Sequence, residues 1–202
     1  MPEQDPENIT VEQLQERIQK LEEDNRRWMR LAGINSRTNL PNNLMLYQIF
    51  LPAELRKYDK RGVTLACLLI APDGLGDINQ DHGRAVGDQL IKEIADFLKE
   101  KIGTDEKLFH TDGANFALLM MGASEGRAKR KAIEIKSDLT EETISVGARK
   151  FSKLTCSIGI VAIDEQMREE TIPQKMDQLY RDLSDCLDKA KQRGGNTVVT
   201  SE

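Results

Sequence analysis

The sequence predicts an α/β (α+β) domain, a mixed and mainly antiparallel central sheet flanked by helices, preceded by an N-terminal coiled-coil helix. Three observations carry this prediction. Apolar residues near the N-terminus recur on alternating three- and four-residue steps, the spacing of a coiled-coil seam. The run VTLACLLIA (63–71) is continuously apolar and bounded by charge and by Pro72, which fits a buried central strand. KLFHT (107–111) and ANFALLMM (114–121) flank Asp112-Gly113, a dipeptide that favours a two-residue hairpin turn. Helical patterns alternate with strand patterns around that hairpin, so the sheet is mainly antiparallel and covered by helices.

The seam comes first along the chain. Val11, Leu14, Ile18, Leu21, Asn25, Trp28 and Ala32 occupy its positions, and Thr10 with Gln13 has the spacing of an N-terminal capping box. Asn25 falls at an a position, where a buried Asn fixes register and favours two parallel strands. A seam of about three heptads is marginal alone. The stripe therefore wants cover, either from a second copy or from the chain's own domain, and a homodimer through Val11, Leu14, Ile18, Leu21, Asn25 and Trp28 is the expectation. Residues 1–34 form the coiled-coil segment and 35–202 the domain.

The heptads break at Gly33, and NSRTNLPNN (35–43) is turn-rich, with Pro41 placed to start a helix over 44–58. After the apolar strand, PDGLGDINQDHG (72–83) reads as a Gly- and Asp-rich loop. Helix 84–102 sets Leu90, Ile91, Ile94, Phe97 and Leu98 on one face. The hairpin follows, then a polar helix over 123–140 whose basic run Arg127–Lys131, interleaved with Glu125 and Glu134, reads as a solvated face. Strands are expected near 144–150 and 153–163. A helix with Met176, Leu179, Tyr180, Leu183, Cys186, Leu187 and Ala190 on one face stops at Gly194-Gly195, and 196–200 is a last strand.

Composition narrows the function classes. The chain is 39% hydrophobic, enough for a core, and its net charge of -5 argues against bulk nucleic-acid binding. No apolar run approaches the ~20 residues of a membrane span. The polar N-terminus is not a secretory signal, and the three scattered cysteines fit reduced thiols, so a cytoplasmic protein is expected. No Cys/His cluster has zinc spacing.

Stretches in a consistent order resemble the GGDEF family, the diguanylate cyclases. NSRTNLPNN resembles the family's DxLTGLPNR, INQDHGRAVGD (78–88) its INDxxGHxxGD, and TDGANF (111–116) its YGGDEF. LTCSIGI (154–160) is similar to its T-x-SIGI strand, and DKAKQRGGN (188–196) to its closing DxAKxxGRN. The resemblance covers roughly 35–200 and implies a GGDEF/nucleotidyl-cyclase-like sheet with the coiled coil as signal-input stalk.

The resemblance also implies a chemistry. The family joins two GTP molecules into cyclic di-GMP across a dimer, by phosphoryl transfer that rests on positioning and on magnesium. Its magnesium ligands are the first Asp of DIDxF and the acids of GGDEF. Those positions hold Ala71, Ala114 and Asn115, within the degenerate motif Asp112, Gly113, Ala114, Asn115 and Phe116. An alanine offers no ligand and an amide a weak, uncharged one, so no catalytic residue and no metal is expected. Asp73 and Asp112 each precede a glycine and read as turn residues. The phosphate-facing positions hold Leu75, Gly76 and Gly195, and the inhibitory RxxD positions hold Gly103 and Glu106. The DxLT acid is Asn35 and the Arg before the motif is His110, consistent with a contact rebuilt without charge.

The guanine-reading pair persists as Asn79 and Asp88, and the family Lys as Lys191. Two readings stay open for them. They bind a guanine nucleotide, or Asn79 caps its loop, Asp88 suits a helix first turn and Lys191 is a solvated residue near a helix C-terminus. The expected function is a catalytically inactive signalling or scaffold protein acting as a dimer on another signalling protein. The alternative is a GTP-binding sensor without turnover, and a residual cyclase comes last.

Overall fold

The computed structural model describes residues 11–163 and 170–201. Thr10, and the side chains of Gln13, Asn25 and Trp28, lie outside the described residues.

Helix α1 (Val11–Ala32) carries the heptads. Its last carbonyl, on Ala32, accepts a 2.7 Å hydrogen bond from Asn42 Nδ2, which ties the helix end to the domain. The seam side chains of Val11, Leu14, Ile18 and Leu21 are 70%, 45%, 55% and 61% exposed, so these four stand uncovered among the described residues. Helix α2 (Asn43–Met45) is capped by Asn42, runs through a π-helical turn (Leu46–Phe50), and continues as α3 (Leu51–Arg61) to Gly62, whose φ of 65° closes the helix.

Strand β1 (Leu65–Pro72) is central, as its unbroken apolar run predicts. The sheet order is β2 (Glu106–His110), β3 (Phe116–Met121), β1, β6 (Cys156–Ile163), β7 (Val198–Thr200). All pairings are antiparallel except β6 with β7. Ala66, Leu68 and Ile70 face one core, built with α5 (Arg84–Glu100) and α6 (Glu125–Glu141). Leu65 and Cys67 face the other, built with the π turn, α3 and α7 (Ile172–Gln192). In β6, a Cβ on Gly159 would lie 2.7 Å from the Leu187 backbone nitrogen and 2.8 Å from the Leu183 carbonyl. Glycine there lets the α7 backbone rest directly on the strand.

The structure departs from the sequence reading in three places. The expected loop 72–83 contains helix α4 (Leu75–His82), because Leu75 and Ile78, three residues apart, pack on the core and override a turn-rich composition. The hairpin is longer than two residues. His110 pairs with Phe116, and Thr111 N bonds Asn115 O at 2.9 Å, so Ala114 and Asn115 lie in the turn rather than in a strand. The strand expected over 144–150 is instead a separate hairpin of β4 (Thr143–Val146) and β5 (Arg149–Ser152), turning at Gly147 with φ 58°.

Candidate functional site

The candidate site is built where β1 ends and the β2–β3 turn overhangs it. Ala71 sits in β1 opposite Ser157 of β6, 2% exposed. Two residues on, the Asp73 carboxylate accepts hydrogen bonds from Thr155 Oγ1 (2.9 Å), Ser157 Oγ (2.8 Å) and the Asn196 backbone N–H (2.9 Å). It therefore ties the end of β1 to β6 and to the α7–β7 turn, a larger part than the turn residue expected of it. Gly195 has φ 75°, and a Cβ there would lie 3.2 Å from that carboxylate, so a side chain at this position is strained and crowds Asp73.

The family chemistry calls for magnesium, and the donor set does not fit it. Ala71 and Ala114 present methyl groups, Asn115 an amide, and Asp73 is committed to its donors. Among the described residues, no cluster of three or more His, Cys, Asp or Glu is arranged to hold a metal ion.

His110 is buried at the base of the turn. Its Nε2 lies 3.0 Å from the Gly113 carbonyl and its Nδ1 3.0 Å from Thr38 Oγ1. A carbonyl only accepts, so the proton sits on Nε2, and the neutral Nδ1 accepts from the Thr38 hydroxyl. Burial holds the His110 pKa below its ordinary value; the bond to Gly113 opposes this and the nearby Arg37 charge reinforces it. Asn35 does not bond His110 directly. Its Oδ1 accepts from the Thr38 backbone N–H at 3.2 Å, so the uncharged link runs through Thr38.

Asn79 lies inside α4, and a Cβ on Gly87 of α5 would fall 1.9 Å from its Oδ1, so its amide rests on that glycine rather than capping a loop. Asp88 is in the second turn of α5, not the first, and pairs with Arg37 at 3.1 Å. Lys191 lies elsewhere. It stands at a cavity of about 290 Å³ under the hairpin, together with Asp112, Asn115 and Asp188. That cavity opens on the Cys67 and Ala117 face of the sheet, opposite the core that α5 packs, and Asn79 and Asp88 do not line it.

Glu106 is buried. Its Oε2 accepts from the Gly103 backbone N–H at 2.9 Å, and Arg127 and Lys131 face it at 3.5 and 3.7 Å. Part of the basic run read as a solvated face is thus turned onto this acid. Sequence reasoning missed Arg37, Thr38, Asn43 and Tyr47 as site residues. Only the resemblance of 35–43 to a family motif pointed toward that segment, and nothing in the sequence signals the π turn that places Tyr47.

Comparison with known proteins agrees with this architecture. The family model described as diguanylate cyclase, GGDEF domain, matches residues 32–197. An uncharacterized membrane protein of Staphylococcus aureus (strain USA300) is 26% identical over 144 residues, 71% of this chain. The chain spans 39% of the length of that curated relative. Among solved structures, the coiled coil and GGDEF domain of DgcB from Caulobacter crescentus, in complex with c-di-GMP, superposes with TM-score 0.74 at 18% identity, covering 95% of this chain and 97% of that one. The diguanylate cyclase SiaD of Pseudomonas aeruginosa, in complex with its activator SiaC, gives TM-score 0.72 at 22% identity, over 95% of this chain and 70% of that one. At such identities these likenesses speak for the fold. Among the described residues, no helix is long and apolar enough to cross a membrane.

Proposed function

The chain belongs to the GGDEF domain family, and within it we propose a catalytically inactive signalling or scaffold protein that acts as a dimer through protein–protein contacts. One observation carries the proposal. The positions where the family motif holds its metal-binding acids are Ala71, Ala114 and Asn115, and the neighbouring Asp73 is consumed by its own donors. Phosphoryl transfer depends on neutralising and positioning the phosphates, and these residues supply neither. Leu75, Gly76 and the left-handed Gly195 leave the phosphate side equally bare.

The division into a stalk (1–34) and a domain (35–202) belongs to the same proposal. Two copies joined in parallel by Val11, Leu14, Ile18, Leu21, Asn25 and Trp28 would carry both domains at one end, where another signalling protein can engage them bivalently. The coiled coil in the DgcB structure and the protein activator bound to SiaD support this as a workable arrangement of the fold. The free, buried Cys67, Cys156 and Cys186 support a reducing compartment, the cytoplasm.

A second reading, a GTP-binding sensor without turnover, is favoured by Asn79 and Asp88 on the packed pair α4 and α5. It requires a nucleotide to displace Arg37 from Asp88, with Lys191 left for the phosphates. Calorimetry of the full chain with GTP, with and without Mg²⁺, tests the proposal. An acid-less site predicts that Mg²⁺ leaves any GTP affinity unchanged, and tightening of about tenfold (~1.4 kcal/mol) or more would overturn it.

A further inference from the structure

Arg37 departs from the motif around it. In NSRTNLPNN it stands where the resembling DxLTGLPNR carries a leucine, so an apolar position has gained a guanidinium. The loop presents that side chain from a fixed backbone. Asn35 Oδ1 accepts the Arg37 N–H at 3.0 Å and the Thr38 N–H at 3.2 Å, and the Thr38 carbonyl accepts from Lys99 Nζ of α5 at 2.9 Å. From there Arg37 Nη2 reaches Asp88 Oδ1, 3.1 Å away and about three turns earlier on the same helix. Both side chains stay partly exposed, so the pair can open to a competing ligand.

The chemistry of the contact is specific. A guanidinium carries N–H donors on nitrogens that share one carbon, and a carboxylate accepts from them as a fork. The Watson–Crick edge of guanine has the same arrangement, with the N1–H and the N2 amino group both on C2. Adenine lacks that pair of donors. Asn79 stands beside the acid, because its Oδ1 rests on Gly87, the residue before Asp88.

We propose, on the reading of Asn79 and Asp88 as a guanine-nucleotide site, that Arg37 is an internal ligand of that site. It occupies Asp88 as the edge of a guanine base would, and holds the site closed until a nucleotide displaces it. The sign of its effect separates this role from simple charge attraction. A cation that only attracts the phosphates strengthens binding, so its loss weakens binding. An internal competitor does the reverse, because removing it raises the fraction of open sites.

Calorimetry of the full chain with GTP, and with ATP as the base control, tests this on Arg37→Leu and Arg37→Ala, each verified as folded by circular dichroism. Both variants are expected to bind GTP about two- to fivefold more tightly than the native chain, the range of an exposed ion pair. ATP affinity should not rise, and adding Asp88→Asn to Arg37→Leu should abolish the gain. GTP affinity unchanged or weakened in the folded variants overturns the proposal and leaves the guanine-nucleotide reading in place. A gain shared equally by ATP also overturns it, since the group displaced would not be a mimic of the guanine edge. No GTP binding at millimolar ligand, by the native chain or by either variant, removes the reading and the proposal together.

Discussion

The uncharged link through His110 is the most informative feature at the residue scale, because it connects the segment after α1 to the β2–β3 turn. Asn35 holds Thr38, Thr38 donates to His110, and His110 donates to Gly113. Burial lowers the His110 pKa in the folded state, so the unfolded chain takes up the proton first as pH falls below about 6.5. The unfolded state then binds more protons, and stability falls with pH from there until the folded ring protonates. Urea midpoints at pH 7.5 and 5.5 should therefore drop more for the native chain than for His110→Gln, and equal drops would contradict this. The sequence carried the neutral replacements at 35 and 110 but not the mediating Thr38, which a turn brings 72 positions to its partner. The tie at Asp73 was equally hidden. Its donors come from 82, 84 and 123 residues away, and no local pattern encodes that meeting.

Elements with a strong period were legible, and those that depend on tertiary packing were not. The heptads of α1 and the stripe of α7 follow from spacing, and β1 from an unbroken apolar run bounded by charge and by Pro72. Helix α4 did not, because two apolar residues in a Gly- and Asp-rich stretch matter only once a core is present. The β4–β5 hairpin was fused into one strand because its turn, Gly147 with Ala148, is weak punctuation. The SIGI stretch gives a sharp prediction for element packing. Gly159→Ala drives a methyl into the α7 backbone at contacts under 3.0 Å, and should cost about 1–3 kcal/mol in urea unfolding, the cost of overpacking a core. A loss below about 0.5 kcal/mol would mean that α7 is not seated on β6 as described.

For the whole molecule, the exposed seam of α1 and the missing acids of the turn are the two facts to reconcile. Leu14, Ile18 and Leu21 stand exposed, and burying each against a partner helix contributes roughly 1.5–3 kcal/mol, enough together to oppose the association cost. Light scattering coupled to size exclusion should find the full chain dimeric and a chain starting at Asn35 monomeric, with Leu14→Asp plus Leu21→Asp matching the truncation. A full-length monomer at micromolar concentration would refute the stalk's role. Dimerisation is also the condition under which this fold could join two nucleotides, so activity must be read on the dimer. The most direct measurement is cyclic di-GMP formation by the full chain, at a concentration where it is dimeric, with GTP and Mg²⁺ and mass-spectrometric detection. With Ala71, Ala114 and Asn115 where the motif holds acids, no product above the no-protein control is expected; cyclic di-GMP accumulating in proportion to protein would contradict an inactive GGDEF domain.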